Sequence, residues 1–153
     1  MPLSAQLALS FLSHESSSGD LARTMRVTPA TYALALSDGS GANKAQVAWS
    51  DARTLSGASD TLNLASLADT RDGAAAVVTI TAAKAIYVKN THSSISLAFS
   101  GGPLTASGVV LASGGVCFLC NASAAGLGAG TISVAGSAGA TYEIVIVGEG
   151  SVA

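Results

Sequence analysis

Charge is what this sequence has least of. Asp, Glu, Lys and Arg make up 10% of its 153 residues, where an average globular chain carries roughly 25%. The seven basic residues are scattered among nine acidic ones and form no basic stripe, so nucleic acid is not expected as a direct partner. Aromatics are only 5%, few for a surface built on sugar-stacking platforms. No apolar run reaches the length of a membrane-spanning helix. The longest, over 114–120 and 142–148, are strand-length and broken by Gly or polar residues, so no membrane partner is expected. The opening MPLSAQLALSFLSH has no Lys or Arg before its apolar stretch. It does not read as a signal peptide, which fits synthesis and assembly inside a cell.

Groups that carry chemistry are equally scarce. Cys117 and Cys120 match C-x-x-C, but there is no second such pair, and His14 and His92 stand at no ligand-like spacing. Residues three apart on a strand point to opposite faces, so these sulfurs diverge and read as reduced packing thiols. Asp69 and Asp72 lie three apart but lack the alternating oxygens and closing Glu of a calcium loop. No Gly-x-Ser-x-Gly and no phosphate-binding Gly-Lys-Ser/Thr occurs. No catalytic, metal or cofactor residue is expected, and the chain reads as a non-enzyme. A hydrolase reading would have to rest on Asp51, Asp69, Asp72, Glu143 or Glu149.

What is present is alternation. Tyr32, Leu34 and Leu36 alternate with Ala, as do Val47 with Trp49, Val78 with Ile80, and Ile86 with Val88. Ile95, Leu97 and Phe99 follow, then Val109 and Leu111; Val116, Phe118 and Cys120; Ile132 and Val134; Tyr142, Ile144 and Ile146. Gly- and Ser-rich turns divide the runs, at Gly114-Gly115, 126–130 and 136–139 among others. This pattern predicts an all-β, single-domain β-sandwich, jelly-roll-like. Residues 1–30 are expected to be an N-terminal strand or arm with a loop, and 31–153 the sandwich. Residues 16–28 read as a polar loop, and 65–76 as room for one helical turn.

With hydrophobic residues at 49%, much of it Ala, so little charge leaves two readings: a domain coated in Ser, Thr, Asn and Ala, or a surface occluded by neighbours. Leu7, Leu9 and Phe11 on the N-terminal arm, with Trp49 and Arg53 in the stretch WSDARTL, are the candidate interface residues. The competing assignment for that stretch is a core Trp49, then a turn with Asp51 on backbone amides and Arg53 solvated.

The passages DGSGANKAQVAWSDARTL (38–55), AKAIYVKNT (83–91) and TYEIVIVG (141–148) together resemble a family of small virion structural proteins of tailed bacteriophages. The resemblance runs from about Asp38 to Gly148. It departs in 65–76, which lacks the aromatic residue expected before its Gly. It implies a β-rich particle component: a capsid cement or decoration protein, homo-oligomeric, bound to the major capsid protein or other virion proteins. A tail-fibre, spike or tail-associated protein touching host glycans is the alternative. The resemblance supplies no catalytic residue.

Overall fold

The computed structural model describes residues 3–11, 14–17, 23–26, 30–69, 76–104 and 108–153. It divides into two compact units, one of 6–35 and one of 1–5 with 36–153. In the smaller, β1 (Ala5–Phe11) lies beside β4 (Ala30–Asp38), and β2 (His14–Ser17) pairs antiparallel with β3 (Arg23–Arg26). Two expectations change here. The segment read as a polar loop contributes strands to a two-stranded ladder, whose polar composition hides it from a search for apolar alternation. The expected arm is already paired with β4.

The larger unit is an all-β sandwich; the described residues contain no helix. Its strands are β5 (Lys44–Ala45), β6 (Val47–Thr54), β7 (Ser59–Asn63), β8 (Leu67–Asp69), β9 (Ala76–Asn90), β10 (Leu97–Ser100), β11 (Val109–Leu111), β12 (Val116–Cys120), β13 (Thr131–Ala135) and β14 (Thr141–Val152). One sheet runs β11-β10-β13-β7 and the other β12-β9-β14-β6, every pairing antiparallel. The short β8 continues the β12 edge by pairing with the start of β9. The helical turn expected in 65–76 is instead a tight turn at Leu64-Ala65 followed by β8, as far as Asp69; 70–75 lie outside the described residues.

Strands such as β6, β10, β13 and β14 bury alternate residues, and the buried sets of the two sheets meet in one core. Trp49, Phe99, Tyr142, Ile80, Ile86, Ile132 and Ile144 are among its largest fully enclosed side chains. Burying an aliphatic side chain of this size stabilises by roughly 1.5–3 kcal/mol. Such a core accounts for folding in a chain whose cysteines are free. Phe99 meets Tyr142 edge-to-face, with ring centroids 5.5 Å apart, a geometry the ring quadrupoles favour.

The long β9 departs from simple alternation, and this shapes one end of the sandwich. Its core residues Val78, Ile80, Ala83, Ile86 and Val88 are spaced two, three, three and two apart. Each step of three spans a β-bulge. In the ladder to β14, Val147 faces Ala85 and Gly148 faces Ala83, leaving Lys84 extra; Glu149 faces Ala82 and Gly150 faces Ile80, leaving Thr81 extra. A single bulge would turn the following residues outward, and the second restores the phase.

Candidate functional site

Polar side chains gather at two places in the sandwich. The first is the seam between the edge strands β6 and β7. The inward parity that buries Val47 and Trp49 carries on to Asp51 and Arg53, and on β7 the parity of Leu62 carries back to Asp60. Charged groups thus leave the inner faces of both sheets and meet across the gap. Arg53 Nε donates to Asp60 Oδ2 at 2.6 Å, Nη2 to Asp60 Oδ1 at 3.3 Å, and Nη1 to Asp51 Oδ2 at 3.0 Å. The buried Tyr142 hydroxyl donates to Asp60 Oδ2 at 2.8 Å. The Thr61 amide donates to Asp60 and the Ala52 amide to Asp51.

Desolvation acts to raise the Asp60 carboxyl, but hydrogen bonds from Arg53, Tyr142 and Thr61 outweigh it and hold the group below its ordinary value. Its partners move the other way. The hydrogen bond to Asp60 raises Arg53, and burial, with the same carboxylate, raises Tyr142. All three stay in the ionisation state that binds best, so the cluster acts as a clasp between sheets.

The second place is the Lys84 bulge. The extra residue turns its side chain into full burial, where Nζ donates to Ser123 O and Ala124 O at 2.7 Å each and to Glu149 Oε1 at 2.8 Å. Three acceptors match the three donors of an ammonium group. Glu149 also accepts from the Gly41 amide at 2.9 Å. Lys84 first, and this amide second, hold its carboxyl below the ordinary range. One cation therefore ties the loop at 39–43, β14 and the loop at 121–127. Gly126 closes that last loop at φ +60°, and a Cβ there would strike the Ala83 carbonyl, so only glycine fits.

Neither cluster pairs a nucleophile with a base. His92 Nδ1 accepts from the amides of Ser94 and Ile95, and the buried Asn90 spends its amide on Ile95 O and Leu111 O. Among the described residues, no three His, Cys, Asp or Glu side chains are grouped to hold a metal ion, and no helix is long and apolar enough to cross a membrane. Cys117 packs against the core, and desolvation raises its thiol. Cys120, three residues on, faces the other side of the sheet.

The candidate interface residues part company. Trp49 is 2% exposed, its indole N–H donating to Ala68 O at 2.9 Å, so its role is packing. Arg53 is committed to the clasp. On β1, Leu9 is exposed and Leu7 half-buried, while the Phe11 side chain lies outside the described residues, as does all of Asp72. Asp51 does bind a backbone amide, but the turn expected after Trp49 is absent, since β6 runs on to Thr54, and Arg53 is an ion-pair partner and not a solvated end. Sequence reasoning did not single out Asp60 or Lys84; it read Tyr142 only as a strand residue and Glu149 only as one of five carboxylates on which a hydrolase reading would rest.

Both outward faces of the sandwich are weakly charged, and the rows Val110, Ala98, Ala135, Ser59 and Ser100, Ser133, Thr61 of the β11-β10-β13-β7 sheet hold no charged residue. On the β12-β9-β14-β6 sheet, cross-strand register lines up two open outward rows: Val116, Lys89, Glu143, Ala52; and Phe118, Tyr87, Val145, Ser50; in the next row, Cys120, Ala85, Val147, Ala48, both Ala85 and Val147 are buried. Lys89 and Glu143 are the only charged members, and they sit opposite each other. Comparison of the chain with protein families, with curated proteins and with solved structures returned no match.

Proposed function

We propose that this chain is a non-enzymatic structural component of a tailed-phage particle, a capsid cement or decoration protein acting by contact with the shell and with its own copies. The observation that carries the reading is the outward face of the β12-β9-β14-β6 sheet. Its two open rows hold one Lys and one Glu, opposite each other in the register, among Ala, Val, Ser and aromatic side chains. Docking such a face strips water from few charges, so shallow contacts repeated by symmetry suffice for tight attachment.

The winding of the sandwich suits the same role. Counting β6, β7 and β9 to β14 as first to eighth, one sheet reads first-eighth-third-sixth and the other second-seventh-fourth-fifth. We read this order as a jelly roll, a common architecture of viral capsid domains. The resemblance of 38–148 to phage virion proteins points the same way.

Mass spectrometry of density-purified particles of the encoding phage is the test. The chain should be present in many copies per particle, and its absence from purified particles would end the reading. Phe118 and Tyr87, cross-strand neighbours on the outward face, favour one alternative, a tail-fibre or spike domain stacking on host glycans. Binding on a glycan array, lost in Tyr87→Ala, would select that alternative.

A further inference from the structure

The two open sides of the sandwich are finished differently. At the β6/β7 seam, Arg53 and Asp60 close the gap, and the edge amides of Ala52 and Thr61 are taken by the carboxylates of Asp51 and Asp60. Inward charges and capped edge amides are how sheets refuse further strands. Among the described residues, no inward charge or carboxylate-capped edge amide guards the β11/β12 side. Residues 90–142 contain no Asp, Glu, Lys or Arg at all. Val110 and Val116 are exposed there, at 73% and 52%, and the core residues beneath, Val109, Cys117 and Leu119, are only partly covered.

The backbone at this edge is also open. The β12–β9 register pairs Val116 with Lys89, and the bond from Asn121 N to Lys84 O lies on the same register. Antiparallel alternation then turns the N–H and C=O of Cys117 and Leu119 toward β9, and those of Val116, Phe118 and Cys120 away from it. Among the described residues no strand pairs with that outer edge.

We propose that the outer edge of β12 pairs antiparallel with β12 of a second copy of this chain, about a two-fold axis at Phe118. This rests on the assembly role proposed above and names the surface through which copies meet. The strand is complementary to itself in size and charge. Reversed about Phe118, Val116 faces Cys120 and Leu119 faces Cys117 of the second copy, a larger side chain against a smaller one on each face. No charge meets its like. The two β6-β14-β9-β12 sheets become one continuous sheet, and the partly covered core residues gain a lid.

The test is sedimentation equilibrium of the full chain over a concentration series, with cross-linking. Wild type should fit a monomer–dimer equilibrium. Phe118→Lys would set two like charges opposite each other and weaken the dimer roughly tenfold or more, with circular dichroism unchanged. The residues of a hydrogen-bonded antiparallel pair lie about 5.5 Å apart at Cα, within disulfide reach. Val116→Cys, oxidised by air with copper phenanthroline, should therefore give a reducible covalent dimer through Cys120, and Val110→Cys should give far less. A wild type monomeric throughout the series overturns the proposal, as does a Val116→Cys chain that fails to cross-link or a folded Phe118→Lys chain that dimerises normally. Should Phe118→Lys misfold, the two cysteine variants decide. A chain found in purified particles but never self-paired would refute this edge contact and leave the particle role standing.

Discussion

At the residue scale, two ion-pair clusters set how the sandwich responds to pH and to substitution. Asp60 and Glu149 have carboxyls lowered by their partners in the folded chain, so the folded state binds fewer protons than the unfolded one. Acid therefore favours unfolding. Their contribution is complete above the unfolded values near 4 and is lost as pH falls through the lower folded values. Thermal unfolding followed by circular dichroism should show a melting temperature that drops below about pH 4, with a shallower drop in Asp60→Asn. At neutral pH that variant should lose only about 1 kcal/mol, because Arg53 stays 34% exposed and solvent screens the pair. Lys84 is a different case, being fully enclosed. Lys84→Met strands two loop carbonyls and the Glu149 carboxylate together, and urea unfolding should show a loss of about 3 kcal/mol. Glu149→Gln should cost less, since Lys84 keeps its two carbonyl acceptors.

At the element scale, β9 determines whether the sheet keeps its phase. Deleting Thr81 removes one bulge residue and slides Val78 and Ile80 by one position, turning both outward. The deletion should destabilise by more than either Val78→Ala or Ile80→Ala alone, each expected to cost roughly 2–4 kcal/mol, as read from denaturant midpoints. Gly126→Ala is expected to loosen the loop at 121–127, since the new Cβ meets the Ala83 carbonyl. Faster amide exchange at Leu127, whose N–H is bound to Ala83 O, is the measurement that checks it.

Much of this scale was readable beforehand. Runs such as Tyr142-Ile144-Ile146 and Ile132-Val134 alternate cleanly because one face of each strand is buried and the other is not. The Gly pairs between them mark real turns. The double bulge was not readable: Thr81-Ala82-Ala83-Lys84-Ala85 offers small residues whose parity carries no signal until the partner strand is known. The clasp was half readable. Trp49, Asp51 and Arg53 share a parity that puts them on one face of a strand, but Asp60 comes from another sheet, and sequence spacing gives no access to such a meeting. The polar strands β2 and β3 were missed because alternation is visible only where one face is apolar.

For the whole molecule, the distribution of charge matters more than its amount. Five charged residues seal the seam or pin the bulge, and 53 consecutive residues, 90–142, carry no Asp, Glu, Lys or Arg. A protein left free in solution gains from dispersed surface charge; a subunit in a shell is relieved of that need wherever a neighbour covers it. Raising the charge of the outward rows, by Ser50→Lys with Val145→Glu, should leave melting within about 0.5 kcal/mol of wild type and reduce copies per particle.

The most direct test of the whole account is a cryo-EM reconstruction of the intact particle. We predict sandwich-shaped density in symmetry-related copies, the β12-β9-β14-β6 face against the shell, the β12 edge against another copy and the Arg53–Asp60 seam in solvent. A particle without such density, or one in which the β12-β9-β14-β6 face and the β12 edge both stand in open solvent, would contradict it.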